Sequence, residues 1–198
     1  MRNPLLANTA ALTALGLAAA ACASNADQSA MSGADRPAAS ATSPAAATTP
    51  ASPLSAADYV SEAARGDMYE IQSSQLALSN ASSAQVKQFA QTMVSDHTTT
   101  TSMLKQAIQG GAVAGATLPQ SLDPRRAGMV TQLRALKGAD FDREYLRQQL
   151  TAHEEALALH QGYAQDGGNG TLKGFAAQTA PRVAQHLQMV QSMQPAGG

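Results

Sequence analysis

The chain has the apolar spacing of α-helices from Ser55 almost to its end. Apolar positions recur every three or four residues, which is the period of one helix face. From Ser83 to Gly110 they advance by alternating steps of four and three, through Val86, Ala90, Met93, His97, Thr100, Leu104 and Ala107. A narrow stripe of this kind is typical of a helix within a bundle. Similar stripes predict four long helices, over about 55–80, 83–110, 140–165 and 171–193.

Local signals mark the ends of these helices. Ser55 and Asp58 form a capping box at the start of the first helix. Gly110–Gly111 end the second, because glycine readily adopts the left-handed conformation of a helix cap. Asp123–Pro124 predict the start of a further short helix, which Gly138 ends.

The order of these elements predicts how they connect. The first two long helices are separated by few residues and form one hairpin, and the last two form another. The stretch 111–139 is long enough to cross between the hairpins. We therefore predict an all-α, ferritin-like four-helix bundle, in which two helical hairpins are joined by a long crossover that carries a short extra helix.

Residues 1–21 have the features of an export signal. Arg2 supplies a positive charge, and the apolar stretch that ends at Leu17 is too short to span a membrane. Ordinary cleavage within the following alanines is one alternative, and cleavage before Cys22 with acylation of its thiol is the other. A lone cysteine in an oxidising compartment favours acylation, because a lipid caps the thiol.

The segment 22–54 is dominated by Ala, Ser, Thr and Pro, and it lacks the apolar side chains that form a core. We predict that it is a disordered tether between a lipid anchor at Cys22 and a helical domain at 55–194. Ala23, rather than Asp, follows the cysteine, as in lipoproteins that are sorted to the outer membrane. These features predict an exported, periplasmic protein that is attached to the outer membrane.

Charge and composition exclude several classes of function. Thirteen Lys and Arg residues against fourteen Asp and Glu residues give a net charge of −1, which provides no basic field for nucleic acid. One cysteine excludes an intramolecular disulfide and a multi-cysteine zinc site. The sequence contains no Gly-x-Ser-x-Gly elbow and no phosphate-binding loop, so we predict no catalytic residues.

Three histidines occupy positions where bundle helices ordinarily carry apolar residues. His97, His153 and His186 lie in the stripes of the second, third and fourth long helices, and Glu70 lies at the edge of the first helix's stripe. At about 1.5 Å per residue, all four side chains fall near the middle of the predicted bundle. Because a buried polar group without a partner costs about 1–3 kcal/mol, we expect them to contact each other or a ligand.

Two interpretations of this group remain open. The four residues bind a single Zn, Cu or Fe ion, and nearby methionines (Met93, Met189 and Met193) would tolerate copper(I). Alternatively they form a polar core layer with Thr100, Tyr145 and buried water. A di-iron centre is not indicated, because no Glu precedes any of the three histidines by three residues.

Several short motifs occur in the order and spacing of a known family. They are Glu70 before Leu76-Ala77, Phe89-Ala90 followed by Asp96-His97, Gly138 followed by Phe141-Asp142 and Tyr145, His153, and Pro181 followed by His186. Over about 55–194 the chain resembles a bacterial domain-of-unknown-function family of exported, outer-membrane or periplasmic proteins with a ferritin-like four-helix fold. The resemblance implies that fold and location, and no activity. His160 departs from the family, which has an aromatic residue there.

The sequence supports hypotheses from three classes. The first is a non-enzymatic binding, structural or stress-related protein of the cell envelope with a buried His/Glu layer. The second is a mononuclear metal-binding or redox protein. The third is docking of a protein partner, or formation of a homo-oligomer, through a second apolar stripe on the helix at 140–165, formed by Phe141, Tyr145, Ala152, Ala156, Leu159 and Tyr163.

Overall fold

The computed structural model describes residues 54–194, and every regular element among them is a helix. The helices are α1 (Ala56–Asn80), α2 (Ala84–Gln109), α3 (Pro124–Arg134), α4 (Gly138–Asp166) and α5 (Gly170–Ser192). This confirms the predicted all-α class. None of the described helices combines the length and the hydropathy of a membrane span. The predicted signal at 1–21, the anchor at Cys22 and all of the predicted tether except Leu54 lie outside the described residues.

Polar side chains cap the starts of four helices, as the sequence predicts for two of them. The Ser55 hydroxyl accepts a hydrogen bond from the backbone N–H of Asp58, and the Asp123 carboxylate accepts one from Arg126. Each cap satisfies a backbone donor that the first turn leaves without a helical partner. The other two caps are Ser83 on α2 and Asn169 on α5.

Two predicted helix ends are wrong by a few residues. The short helix ends at Arg134 rather than at Gly138, because the N–H groups of Ala135 and Leu136 bond to carbonyls only three residues back. Gly138, at a φ of 63°, reverses the chain and is the first residue of α4, which therefore begins before the predicted Asp140.

The cap after α2 also differs in detail from the prediction. Gly110 has a φ of −75°, which lies outside the left-handed region. That conformation falls on Gly111, at a φ of 86°. A side chain on Gly111 would be strained there, which explains why the glycine pair ends the helix.

The four long helices enclose one interior. α1 packs against α2 and α4, and α5 packs against α4 and α2, while the short α3 lies on α1 and α4. The most extensive contacts join α1 to α2 and α4 to α5, the two pairs that are consecutive in the chain. Consecutive long helices are therefore packing partners, as the prediction of two hairpins requires.

A polar layer separates two apolar clusters in this interior. One cluster contains Ala77, Phe89, Met93, Phe141, Tyr145 and Val190. The other contains Tyr59, Val60, Leu104, Tyr163, Leu172 and Phe175. Between them, along every long helix, lie buried polar residues that include Asp67, Glu70, His97, His153, His160, Thr179 and His186.

The second apolar stripe of α4, predicted as a docking face, is largely covered by the chain itself. Phe141 and Tyr145 are completely buried, and Tyr163 is 3% exposed. The middle of the stripe, formed by Ala152, Ala156 and Leu159, is half-buried. The aromatic ends of the stripe therefore belong to the core of this chain, and docking to a partner stays a prediction.

Candidate metal centre

The three predicted histidines lie together in the polar layer. His97 on α2, His153 on α4 and His186 on α5 are 6%, 1% and 2% exposed, respectively. The centroids of their rings are 5.5–5.9 Å apart, and each ring contacts the other two. We call these three residues the histidine triad.

One nitrogen of each triad ring donates a hydrogen bond to an oxygen. The Nδ1–H of His97 donates to Asp67 on α1 at 2.8 Å, and the Nε2–H of His186 donates to Asp96 on α2 at 2.9 Å. The Nδ1–H of His153 donates to the backbone carbonyl of Gln149, one turn earlier, at 2.9 Å. These oxygens can only accept, so each bond fixes the tautomer and the orientation of its ring.

The second nitrogen of each triad ring has no hydrogen-bond partner among residues 54–194. These atoms are Nε2 of His97, Nε2 of His153 and Nδ1 of His186, and all three are sealed from solvent. In the neutral ring each carries a lone pair, because the proton is on the anchored nitrogen. One nitrogen from each ring lies within 4.8 Å of the corresponding atoms of the other two. The layer therefore brings three buried rings together, each with one nitrogen that has no hydrogen-bond partner among the described residues.

The dimensions of the triad suit one metal ion after a small adjustment. Three points that lie within 4.8 Å of one another share a centre no more than about 2.8 Å from each, whereas Zn–N bonds are about 2.0–2.1 Å long. The rings would move inward by no more than about 0.7 Å to bind zinc at these distances.

Glu70, the fourth predicted ligand, is buried but lies outside the convergent group. Its Oε2 accepts a 2.6 Å hydrogen bond from the side chain of Gln149, and its Oε1 lies 3.8 Å from Nδ1 of His153. It therefore faces the anchored side of the His153 ring. From this position the carboxylate can influence the orientation and charge of the ring, and its role as a metal ligand stays a prediction.

Burial has different consequences for the protonation of the three rings. It lowers the pKa of His153 and of His186 to about 4, and charge on His97 adds to that effect. Burial also opposes charge on His97, but the hydrogen bond and the negative charge of Asp67 outweigh it and raise its pKa above the ordinary value. The metal-free layer therefore favours neutral His153 and His186 at pH 7, beside a readily protonated His97.

Burial also raises the pKa of Glu70 to about 7, although charge on His97 and the hydrogen bond from Gln149 act in the opposite direction. The carboxyl group is thus balanced between its neutral and charged forms near neutral pH. Its charge responds to whether His97 carries a proton.

Sequence reasoning identified the three rings and missed the groups that orient them. Asp67 lies one turn before Glu70 on the first helix, with the spacing of its inward stripe, and Asp96 is in the motif that includes His97. The sequence analysis assigns neither of them a role. Asp67 also accepts hydrogen bonds from Thr100 and Thr101, so both of its oxygens are held. A carboxylate in an otherwise apolar stripe is the signal that marks Asp67.

Two methionines that sequence reasoning placed near the histidines differ in burial. Met93 is completely buried and belongs to an apolar cluster, whereas Met189 is 37% exposed. Tyr145, proposed for the polar layer, forms its hydrogen bond with Ser74 at 2.7 Å instead of with a triad ring.

The comparisons identify one matching family. The model of a family described as a domain of unknown function, DUF4142, matches residues 39–193. The match confirms the resemblance to a domain-of-unknown-function family, and its range begins within the segment predicted as a tether. Searches of curated proteins and of solved structures found no match.

Proposed function

The chain belongs to the DUF4142 family, and we propose that in this chain the domain binds one transition-metal ion through His97, His153 and His186. Imidazole nitrogen is a ligand that suits zinc, copper and iron, and three such ligands leave a further coordination position open. The proposal concerns metal binding, and it assigns no reaction to the site.

The proposal rests on a feature that the three triad rings share. In each ring one nitrogen donates a hydrogen bond, and the other is buried without a partner among residues 54–194. Metal-binding histidines generally donate their other N–H to a carboxylate, a backbone carbonyl or water. Asp67, Asp96 and the carbonyl of Gln149 supply two carboxylates and one backbone carbonyl. Leaving three buried acceptors without a donor costs free energy, and a cation at their centre would satisfy all of them at once.

The raised pKa of His97 favours a second candidate, a purely structural polar layer. A proton on Nε2 of His97 would be a donor toward the neighbouring rings, stabilised by Asp67. One proton satisfies fewer of the three acceptors than a metal ion does, and we therefore place this candidate second. In the first candidate the same proton leaves as the metal binds.

For the whole chain, we propose a ferritin-like four-helix bundle that is exported and held at the outer membrane by acylated Cys22. The two consecutive hairpins, the long connection with α3 and the ring of contacts among the long helices support the fold. The charged, apolar and small-residue segments within 1–22 support export. The composition of 22–54 supports its assignment as a tether.

Metal loading of protein that carries no polyhistidine tag tests the proposed function. We expect elemental analysis to give about one equivalent of zinc, copper or iron after dialysis against each metal. His153→Leu should weaken binding about a hundredfold or more, since it removes one of three ligands. His160→Phe is the matched control, because His160 is a buried histidine of the same helix outside the triad. Equal loading of both variants would contradict the proposal.

A further inference from the structure

A cavity of about 510 Å³ opens at the triad, bounded by all five helices, and two triad rings, His97 and His186, form part of its wall. Its volume is within the usual range of small-molecule pockets. Its apolar walls are formed by Ala63, Met129, Ala152, Ala156, Leu159 and Val183. The half-buried middle of the α4 stripe thus lines a concave space, which suits a compact apolar molecule.

His160 brings a polar group to this cavity. The ring is 5% exposed, and its Nδ1 lies 2.8 Å from the hydroxyl oxygen of Tyr59. The Tyr59 side chain is completely buried, and His160 is its one hydrogen-bond partner among the described residues. Tyr59 therefore donates its O–H to Nδ1, and the proton of the neutral His160 ring is on Nε2.

The Nε2–H of His160 is available to a ligand. It makes no hydrogen bond with any residue of the described range 54–194, and His160 is outside the triad. Nε2 of His160 is not among the sealed, unpartnered atoms of the core, so an acceptor that enters the cavity can reach it. A carbonyl, ether or hydroxyl oxygen of a ligand would accept this hydrogen bond.

The charges around the cavity disfavour an ionic ligand. Arg125 pairs with Glu155 at 2.6 Å, Arg126 with Glu62 at 3.0 Å, and Arg182 with Asp96 at 3.2 Å. Each of these arginines already has a carboxylate, and no free cation remains among them. Asp67 and Glu70, which also line the cavity, would repel an anion.

We propose that this cavity binds a small, neutral and largely apolar molecule whose single hydrogen-bond acceptor is recognised by Nε2 of His160. The walls supply apolar contact, and His160 supplies orientation and specificity. The proposal goes beyond metal binding, and it is tested on metal-free protein, so that either proposal can fail alone.

Fluorescence titration of the metal-free full chain with two neutral probes tests the cavity. Prodan carries a ketone acceptor, and N-phenylnaphthylamine has a similar apolar body without one. Ala156→Phe should fill the cavity and abolish binding of both probes. Ala177→Phe is the matched control, because Ala177 is exposed on α5 and does not line the cavity. Unchanged binding by Ala156→Phe, or equal losses in the two variants, would overturn the proposal.

The role of His160 is tested with the same probes. His160→Phe should weaken prodan binding about three- to tenfold, the usual effect of losing one neutral hydrogen bond, and leave N-phenylnaphthylamine within about twofold. His160→Gln retains an N–H donor and should keep most of the prodan affinity, which gives a second variant if phenylalanine disturbs folding. Equal effects on the two probes would overturn the role of His160.

The charge of the ligand is tested with anilinonaphthalenesulfonate, which adds a sulfonate to the body of N-phenylnaphthylamine. We expect it to bind at least about tenfold more weakly than the neutral probe, because Asp67 and Glu70 line the cavity and each arginine of the described lining is paired with a carboxylate. Tighter binding of the sulfonate would overturn the assignment of a neutral ligand.

Discussion

The histidine triad and His160 show how one residue type acquires opposite properties within the same core. All four rings lie in helix stripes and are at most 6% exposed. The anchored nitrogens of the triad face oxygens that can only accept, which leaves lone pairs on the other nitrogens. His160 is anchored by the hydroxyl of Tyr59, a donor, which leaves an N–H instead.

This difference separates a metal ligand from a hydrogen-bond donor. A lone pair can coordinate a cation, whereas an N–H cannot unless it first loses its proton. Burial is similar for the two kinds of ring, and the chemistry follows from the partner on the opposite side. Changes to the groups around each ring should therefore affect stability and metal affinity in different ways.

Removing the charge of Glu70 should give the largest change in stability. The folded-state pKa of about 7 lies above the ordinary 4.5, so the folded protein binds more protons between these values and loses stability as pH rises through them. A difference of this size corresponds to about 3 kcal/mol at pH 8. Glu70→Gln in metal-free protein should therefore raise the unfolding free energy at pH 8 by up to about 3 kcal/mol and change it little at pH 4, as measured by urea denaturation.

The same variant tests whether Glu70 coordinates the metal or only lies beside His153. Because Glu70 faces the anchored side of His153, Glu70→Gln should change metal affinity by less than about tenfold, through the orientation and charge of the ring. A loss as large as that of His153→Leu would make Glu70 a direct ligand. A loss of stability at pH 8 would contradict the assigned cost of its charge.

Asp96→Ala should weaken metal binding about 10- to 100-fold, because it removes the acceptor that orients His186. Competition with a chelator of known affinity measures this change. Asp96→Asn is the matched control, since the amide oxygen still accepts the N–H of His186. Similar losses in the two variants would mean that the charge of Asp96, rather than the orientation of the ring, governs affinity.

Tyr59→Phe should produce the smallest change, a loss of about 1 kcal/mol of unfolding free energy, because Nδ1 of His160 loses its donor. Tyr163→Phe is the control. Its ring stacks on Tyr59, and its buried hydroxyl has no partner among residues 54–194, so its removal should be neutral or stabilising. Metal affinity should stay within about twofold in both variants. A large change in metal affinity after Tyr59→Phe would show that His160 influences metal binding at the triad.

Local signals in the sequence predicted much of the fold. Ser55 and Asp123 cap the first turns of their helices. The residues of a single turn therefore determine where each of these helices starts. Gly138 was misassigned because a glycine suits the end of one helix and the reversal before the next, and the bonds of Ala135 and Leu136 decide between the two. The stripes also predicted that the three histidines share a level, since helix rise fixes depth.

The identity of the free nitrogens could not be predicted in the same way. Asp67 is 30 residues from His97 in the chain, and Asp96 is 90 from His186. Which carboxylate meets which ring depends on the rotation and register of packed helices, and stripe periodicity does not specify these to within a hydrogen bond. Tyr59 and Asp67 both lie on α1, and packing likewise decides that Tyr59 contacts His160 whereas Asp67 contacts His97.

X-ray absorption at the metal edge of the loaded, tag-free protein tests the central claim most directly. The account predicts three imidazole nitrogens at about 2.0–2.1 Å for zinc, and an unchanged spectrum in His160→Phe. In His186→Leu, protein loaded at high metal concentration should lose one imidazole from the coordination shell. A shell made of oxygen atoms alone, or one that His186→Leu leaves unaltered, would contradict it.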